Sequence, residues 1–367
     1  MNEPVCIVGA GPSGLTAAIH LRLHGVPVRV LEMAADVGRR LSGDLQGLEN
    51  WSTDEEVPEF LARLGIATNF ICRPVHGGTV HAPGLAPCHS SSERPIFYLV
   101  RRGSMAGTLD VGLKEQALAL GATIEFNRRF DPAEVDAGGP VIVATGPTRA
   151  DALALGMTFD TPMADTAIVI FDDALAPRGY AYLLISGGLG TLSTVLFRDF
   201  HGARTFFERT LQRFRDDLGV APISGERFAS FGNFFLRDSQ RVGNRLYVGE
   251  AAGFQDCLWG FGMRHAMLSG WLAARSIVEG LDYDLLWRRE IRPLLETSLV
   301  NRFIQDNSGS LLYRYVSRRL QRDPTAFLRS QYAGSMLKRL LLPLAIRSFD
   351  RRRPADQQLV KLVQKGG

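Results

Sequence analysis

Cysteine is scarce in this sequence, and long apolar runs are missing. Four cysteines occur among 367 residues, and the opening residues MNEPVCIVGAG lack the basic and apolar regions of a secretory signal. We therefore expect neither secretion nor a disulfide framework, and we predict a cytoplasmic protein. The longest apolar candidate, LLLPLAI at residues 340–346, is shorter than the roughly 18 residues that span a bilayer, and it contains Pro343.

The sequence also lacks a spacing typical of a metal site. Cys72, His76, His81, Cys88 and His89 lie within one short stretch. Their intervals match no zinc-binding pattern. We interpret them as loop residues and expect no metal.

Positive charge is concentrated near the C-terminal end of the sequence. Residues 282–367 contain 17 lysines and arginines and 8 aspartates and glutamates, about +9 of charge, whereas the preceding residues carry about −5. Apolar residues recur there at intervals of three and four, which predicts amphipathic helices. Two interpretations stay open: a helical cap, or a basic surface that contacts the inner face of an anionic membrane or an acidic carrier protein. We expect no nucleic acid partner, because the cations are interleaved with core-type residues.

The N-terminal residues have the pattern of a dinucleotide-binding βαβ unit. An apolar strand at Val5–Val8 leads into a turn with Gly9, Gly11 and Gly14, and after a helix-forming stretch a second strand ends at Glu32. Gly9 permits the tight turn, Gly11 lets backbone amides approach a pyrophosphate, and Gly14 lets the helix pack on the sheet. Glu32 is placed to accept hydrogen bonds from a ribose diol.

A second glycine-rich junction between a strand and a helix lies more than 200 residues later. Residues 246–248 predict a strand, and the run GEAAGFQDCLWGFGM at 249–263 leads into a helix that begins near Met263. Two such junctions in one chain indicate one long dinucleotide that is contacted at both ends. FAD has the length that this pattern requires.

Two segments between the junctions favour the same interpretation. Arg102 precedes a helix opened by Asp110, an arrangement in which an arginine can reach phosphate or ribityl oxygens. Thr145 and Gly146 follow a buried strand, at the end of a sheet strand where a ligand crevice is expected.

Most of residues 1–280 resembles the FAD-dependent oxidoreductases of the geranylgeranyl reductase family. The wider superfamily also contains aromatic-ring hydroxylases, flavin halogenases and lycopene-cyclase-like proteins. Residues 249–263 align without gaps on the family motif Gly-Asp-Ala-Ala-Gly-Phe, two variable residues, Pro-Leu-x-Gly-x-Gly-Ile, with Glu250 in place of the aspartate. The run ATGP at 144–147 lacks the aspartate of the Gly-Ala-Asp-Gly motif, and the tryptophan-rich motif and the loop lysine of flavin halogenases are absent.

The resemblance implies an α/β fold: a glutathione-reductase-type FAD-binding Rossmann domain with an inserted β-sheet substrate domain and a C-terminal helical region. We assign residues 1–160 and 236–281 to the FAD domain, with residues 45–100 contributing partly to the substrate side. Residues 161–235 are assigned to the sheet domain and 282–367 to the helical region. The residues implied to bind FAD are Gly9, Gly11, Ser13, Gly14, Glu32, Arg40, Arg102, Thr145, Gly146, Gly249, Glu250, Gly260, Gly262 and Met263.

The resemblance further implies the reaction. We expect reduction or desaturation of a carbon–carbon bond in an apolar, isoprenoid- or polyene-like small molecule, by hydride exchange at flavin N5, with NAD(P)H as a candidate transient electron donor. Two alternatives are a flavin monooxygenase, which consumes oxygen, and a redox-neutral isomerase or cyclase. A non-enzymatic, redox-responsive flavoprotein is the alternative from a different class.

Cys257 is the first candidate for a catalytic side chain. It occupies the position where the family has a proline close to the flavin ring, so its thiol is expected near the flavin and is our preferred proton donor. His265 and Tyr182 are further catalytic candidates, with Tyr180 as an alternative acid. Simple packing of a small apolar residue is the competing interpretation of the cysteine.

Overall fold

The computed structural model of the chain describes residues 3–131, 139–220, 225–308 and 310–351. The strands in these ranges are β1 (Val5–Val8), β2 (Val28–Leu31), β3 (Leu45–Glu49), β4 (Cys72–Val75), β5 (Gly77–His81), β6 (Cys88–Ser91), β7 (Phe97–Arg101), β8 (Thr123–Glu125), β9 (Val141–Val143), β10 (Ala152–Asp160), β11 (Thr166–Ile170), β12 (Tyr180–Ser186), β13 (Leu189–Leu196), β14 (Gly225–Gly232), β15 (Arg241–Val242) and β16 (Arg245–Tyr247). The helices are α1 (Pro12–Leu23), α2 (Val57–Arg63), α3 (Leu109–Ala119), α4 (Ala203–Leu218), α5 (Met263–Glu279), α6 (Tyr283–Glu290), α7 (Arg292–Ser308), α8 (Ser310–Arg322), α9 (Pro324–Tyr332) and α10 (Met336–Asp350).

The first sheet is the Rossmann sheet, with the strand order β15-β16-β9-β1-β2-β8. Its neighbouring strands are parallel except for the β15–β16 pair at one edge. Strands β1, β2 and β9 consist largely of buried, β-branched residues, as expected for parallel strands covered on both faces. Helix α1 begins with Pro12, whose fixed φ suits the first helical position, and packs against α5 and α3.

The second sheet has seven strands in the order β14-β10-β13-β12-β11-β5-β6 and is antiparallel except for the β11–β5 pair. Residues 77–91 contribute β5 and β6 to it, so part of the 45–100 segment does lie on this side. Strand β10, Ala152–Asp160, also belongs to this sheet and not to the Rossmann sheet. After β9, the chain therefore leaves the Rossmann sheet and enters the second sheet before Ala152, and not after residue 160 as we expected.

Helix α4 covers one face of the second sheet. Its sequence places Phe207, Leu211 and Phe214 on one side at intervals of four and three, and all three are buried against the sheet. The four arginines of the helix are all exposed. The amphipathic pattern is sufficient to explain why this segment is a helix on a sheet and not a further strand.

A third, small sheet links the two larger ones. It has three strands in the order β3-β7-β4, and both neighbouring pairs are antiparallel. Strand β3 ends at Glu49 and β7 ends at Arg101, so this sheet determines the positions of Glu49 and of Arg102. Both side chains lie near the glycine-rich loop that follows β16.

The C-terminal helices α6 to α10 pack on this framework. Helix α7 contacts both α10 and α6, and α8 packs against β6. The predicted helical character of residues 282–351 is thus seen, whereas residues 352–367 lie outside the described residues. No helix in the described ranges has both the length and the apolar character to cross a membrane.

Candidate functional site

The first glycine-rich turn connects β1 to α1 and is shaped by close backbone approaches. Gly9 has φ +105°, and a Cβ there would lie 2.3 Å from the Ala144 carbonyl oxygen. A Cβ on Gly14 would lie 2.0 Å from the Gly9 carbonyl oxygen. These two glycines are therefore required by the protein's own packing, as the sequence pattern suggested.

Gly11 differs from Gly9 and Gly14, because no contact or backbone angle in the described chain requires a glycine there. Its φ is −83°, which any residue adopts, and no described atom lies within 4 Å of the place where its Cβ would stand. The first amide to donate inside α1 is that of Leu15, to the Gly11 carbonyl oxygen (2.9 Å). The amides of Ser13 and Gly14 thus belong to the helix N-terminus that precedes the first internal hydrogen bond, which is the arrangement that binds a pyrophosphate.

Glu32 lies at the end of β2 and is held beside this turn. One carboxylate oxygen accepts a hydrogen bond from the Ala10 amide (2.8 Å), and the other accepts one from the Ala34 amide (2.8 Å). Each oxygen has a second lone pair for a diol hydroxyl. The carboxylate is therefore oriented before any ligand arrives.

The second glycine-rich junction packs directly on the first. Gly249 has φ +57°, and its amide donates to the Ser269 hydroxyl of α5 (2.9 Å). A Cβ on Gly249 would lie 2.7 Å from the Ser13 hydroxyl, and one on Gly270 would lie 2.0 Å from the Ser13 carbonyl oxygen. The start of α1 and the middle of α5 are in close contact, so the two junctions form one site although they lie far apart in sequence.

Glu250 has a carboxylate without a hydrogen bond or ion pair among the described residues. Burial raises the pKa of this carboxyl, and the guanidinium groups of Arg40 and Arg102 act in the opposite direction. An acceptor that lies between two cations and lacks a donor suits a ligand rich in hydroxyl groups. This is the role that the resemblance implies for the residue after Gly249.

Arg102 and Arg40 differ in whether their guanidinium donors are already used in hydrogen bonds within the protein. The Arg102 guanidinium forms a buried bidentate pair with Asp110 (both distances 2.9 Å) and also donates to the Gln46 side chain (3.2 Å). We expected Arg102 to reach phosphate or ribityl oxygens, but its donors are largely used to fix α3 against β7. Arg40 is exposed, lies over the Phe231 ring at 5.5 Å, and is the freer cation for an anionic ligand.

Thr145 and Gly146 lie at the end of β9, next to the Gly9 turn. A Cβ on Gly9 would lie 3.3 Å from the Thr145 amide nitrogen, and one on Gly146, where φ is +79°, would lie 3.1 Å from the Arg40 guanidinium. Both residues thus border the first turn. Their role in binding stays a prediction.

The loop that leads to α5 is closed by Asp256. Its carboxylate accepts from the Trp259 amide (2.6 Å), its own amide donates to the Phe261 carbonyl oxygen (2.7 Å), and its carbonyl oxygen accepts from Gly260 (2.9 Å). Gly260 has φ +80°, and Gly262 is the residue that caps α5. The loop is therefore a tight turn that places Gly260, Gly262 and Met263 at the N-terminus of α5.

Cys257 lies in this turn and is 4% exposed. Its amide donates to the Ser298 hydroxyl (2.6 Å), and its carbonyl oxygen accepts from Arg302 Nε (2.9 Å). The charge of Arg302, which is fully buried, also interacts with the Cys257 thiol. The thiol borders an apolar cavity of about 90 Å³ between the loop, α7 and α10.

Tyr182 and Tyr180 belong to the same apolar cluster as Cys257. Their rings lie 6.2 Å apart, and the Tyr180 hydroxyl donates to the Trp259 carbonyl oxygen. Burial raises the pKa of Tyr182, so it stays protonated and can donate a hydrogen bond at neutral pH. The structure therefore brings together two of the three predicted catalytic residues.

His265 is not part of this cluster. It lies in the first turn of α5 and is 2% exposed, and burial lowers the pKa of its imidazole to about 4. The sequence predicted His265 as a catalytic residue, but its imidazole is neutral at physiological pH. The positive charge beside the cysteine comes from Arg302, which sequence reasoning did not single out.

A buried carboxyl that sequence reasoning also missed is Glu49, at the end of β3. It is 2% exposed, and its Oε2 atom has no hydrogen-bond partner among the described residues. Burial raises the pKa of Glu49 to about 7, with Arg264 opposing this change and Asp256 adding to it. Tyr332 of α9 interacts with both carboxyls. No local sequence signal marks Glu49, because only the third sheet brings it beside Asp256.

No metal centre is found in the described part of the chain. No group of three or more histidine, cysteine, aspartate or glutamate side chains there is arranged to hold a metal ion. None of the four cysteines forms a disulfide bond.

Comparisons with known proteins agree with this geometry. Residues 7–49 match the family described as NAD(P)-binding Rossmann-like domain. Digeranylgeranylglycerophospholipid reductase 2 of Methanosphaera stadtmanae is 25% identical over 339 residues, which cover 77% of this chain and 80% of the relative. The digeranylgeranylglycerophospholipid reductase of Haloferax volcanii is 22% identical over 402 residues, covering 92% of this chain and 93% of the relative.

Among solved structures, a geranylgeranyl bacteriochlorophyll reductase-like protein from Thermoplasma acidophilum has a TM-score of 0.66 at 15% identity, covering 95% of this chain and 98% of that chain. The chain is similar to the geranylgeranyl reductases. The flavin-dependent brominase Bmp2 has a TM-score of 0.63 at 16% identity, covering 96% of this chain and 100% of that chain. The predicted resemblance, the α/β fold with a Rossmann domain and C-terminal helices, and the class of FAD-dependent oxidoreductase are confirmed.

A flavin dinucleotide fits the residues of this geranylgeranyl reductase-like site. The open space at Gly11 and the unpaired carboxylate of Glu250 lie at the two glycine-rich junctions, where the two ends of the cofactor would be held. The chain itself offers no reason for either feature. Both are explained if a ligand completes the site.

We expect Gly11→Val to abolish flavin binding and to leave the fold intact. A Cβ at this position meets no described atom within 4 Å, and the backbone angles suit any residue, but the branched side chain of valine would occupy the approach of a pyrophosphate. Flavin absorbance per protein and far-ultraviolet circular dichroism measure the two effects. Gly139→Val is the matched control, because Gly139 is also open at its Cβ position. Full flavin occupancy in Gly11→Val would contradict the assignment.

We expect Glu49→Gln to change stability in a pH-dependent way. The carboxyl ionises near pH 4.5 when unfolded and near pH 7 when folded, so the stability it contributes is complete below pH 4.5 and is lost as the pH rises to about 7. Glutamine has no such loss, so the variant should gain on the order of 3 kcal/mol relative to wild type between pH 4.5 and 8. Thermal unfolding across this range measures it, with exposed Glu226→Gln as control. A difference that does not vary with pH would refute the buried ionisation.

Proposed function

We propose that this protein is an FAD-dependent enzyme that reduces a carbon–carbon double bond in an apolar, isoprenoid-like lipid. The observation that carries the proposal is the cluster around Cys257, where a thiol in the loop that follows Glu250 and two phenols of β12 pack in one apolar cluster. Relatives named digeranylgeranylglycerophospholipid reductase support it, since they align over 80% to 93% of their length. We prefer reduction to desaturation, because this cluster contains three groups that can donate a proton, the thiol and the two phenols.

The chain's own residues would bind and orient the cofactor. The N-terminus of α1 and the Glu32 carboxylate would hold the adenosine diphosphate half, and Glu250 would accept hydrogen bonds from the ribityl chain. When bound, FAD supplies the hydride that a double-bond reduction requires. Apolar side chains of the second sheet and of α7 and α10 would exclude water from the substrate.

Reduction of an unpolarised double bond also needs a proton at the second carbon. Cys257 is the preferred donor, because its thiol lies in the apolar cluster and the fully buried cation of Arg302 favours the thiolate that remains after donation. Glu49, with a pKa near 7, is placed to replace that proton from the side of α9. The electron donor to the flavin is a separate question, for which NAD(P)H is the candidate.

Halogenation and oxygenation are less well supported by the side chains. The described lysines are Lys114, paired with Asp36 at 2.8 Å, and Lys338, which donates to the carbonyl oxygens at the end of α9. Neither belongs to the cluster around Cys257. Within the described residues, the lysine typical of flavin halogenases therefore has no counterpart in this cluster.

The reaction type can be tested under anaerobic conditions. Protein reduced with dithionite is incubated with a geranylgeranyl-type lipid, and mass spectrometry follows the gain of two hydrogens per double bond. We expect saturation of the lipid and reoxidation of the flavin without oxygen. Product that contains oxygen and forms only in air would favour a monooxygenase. Product without net flavin reoxidation would favour an isomerase or cyclase.

We expect Cys257→Ala and Cys257→Ser to bind flavin normally and to lose turnover by on the order of a hundredfold, because a positioned acid contributes that much or more. Flavin content, flavin reduction rate and lipid saturation are measured separately. Cys88→Ala is the matched control, since Cys88 is also 4% exposed but donates to the Ser317 carbonyl oxygen of α8. Wild-type turnover in both Cys257 variants would make the thiol a packing residue and move the search for the proton donor to Tyr180 and Tyr182.

A further inference from the structure

We propose that helix α10 docks on an anionic phospholipid bilayer and inserts its exposed apolar face into the lipid interface. The proposal rests in part on the proposed function, because an isoprenoid-like lipid is held in a membrane. It concerns a surface outside the flavin site. The docking itself can be measured without turnover.

The exposed face of α10 is unusually apolar. Met336, Leu337, Leu340 and Leu344 are 80%, 62%, 67% and 50% exposed. At 3.6 residues per turn they share a sector about 100° wide, so they form one stripe and are not scattered. A contiguous apolar patch of this kind on an otherwise ordinary surface marks a contact with a partner or a membrane.

The opposite face of the same helix is packed against the rest of the protein. Ala345 and Phe349 are buried in the cluster that contains Cys257, and Ile346 borders the cavity beside that thiol. The inward face therefore holds α10 in position against α7. The outward leucines make no contribution that the fold needs, so their exposure calls for another explanation.

The charges on α10 favour anionic lipid as the occupant. Arg347 and Arg351 follow the leucines on the same side of the helix, and all three arginines of this segment, with Arg339, are exposed. Their guanidinium groups make no hydrogen bond or ion pair with the described residues. Lys338 is not available, because its ammonium group donates to the carbonyl oxygens of Gln331 and Ala333. Free arginines beside an inserted apolar stripe suit lipid phosphates. A second copy of this chain would present the same positive charge and be repelled.

The position of α10 connects this surface to the pocket. An open groove of about 930 Å³ is lined by Trp51, Tyr332 and Ala333, and α10 begins three residues after Ala333. Tyr332 in this lining interacts with Trp51, Asp256 and Glu49. The leucine stripe of α10 therefore begins a few residues from a groove whose wall includes a side chain in contact with Asp256.

The test uses the full, flavin-loaded protein and vesicle cosedimentation. Vesicles of phosphatidylcholine alone are compared with vesicles that also contain phosphatidylglycerol, at low and high salt. We expect binding to the anionic vesicles that fades as salt rises. The triple variant L337Q/L340Q/L344Q should bind at least roughly tenfold less, and R339Q/R347Q/R351Q should lose the preference for anionic vesicles.

Two controls keep the outcome interpretable. Leu285→Gln alters an equally exposed leucine, 64% exposed, on α6 and should bind as wild type does. Flavin content and anaerobic reduction of a short, water-soluble isoprenoid should be unchanged in the leucine triple variant, because its residues lie outside the site. The proposal would be overturned if the protein bound neither kind of vesicle, or if the leucine triple variant bound as well as wild type. It would also be overturned if the protein were a dimer that this variant disrupts. A bound protein that reduces no lipid would instead contradict only the proposed function.

Discussion

The buried guanidinium of Arg302 joins the three parts of this structure. It donates to the carbonyl oxygens of Cys257 and Leu258 in the loop that leads to α5 and to that of Arg178, just before β12. Its plane lies 3.7 Å from the centre of the Phe197 ring, next to β13. Because removing a charge from water costs several kcal/mol unless its donors are satisfied, this arrangement specifies one position of α7 against the loop and the second sheet.

That constraint also determines which side chains meet in the pocket. Helix α7 supplies Ser298, whose hydroxyl accepts from the amides of Cys257 and Leu258. It also packs against α10, so the cavity beside the thiol has walls from the loop and from two C-terminal helices. The C-terminal region is therefore part of the site. Its inner face closes the pocket, whereas its outer face presents the apolar stripe of α10.

The three glutamates near the site differ in their burial and in their hydrogen-bond partners, and these differences determine what each carboxyl can do. Glu32 is half-buried and accepts two amides, which suits a fixed acceptor, whereas Glu49 is fully buried with an unpaired oxygen and a pKa near 7. Glu250 lies between these cases, with two arginines that oppose the effect of burial. The residue type is the same in all three. Only the surrounding dipoles and charges make one an orienting acceptor and another a reservoir for a proton.

The sequence by itself determined the local features. Gly9 and Gly14 are needed where the backbone approaches to within van der Waals contact, Glu32 ends the strand after them, and the apolar periods of the C-terminal helices are visible without coordinates. Each depends on residues that are close in sequence or on one backbone conformation. Tertiary structure alone decided that Arg102 is tied to Asp110, that His265 is neutral, and that Glu49 and Arg302 belong to the site. Charge states and contacts of this kind depend on burial, and burial is decided by segments that lie tens to hundreds of residues apart.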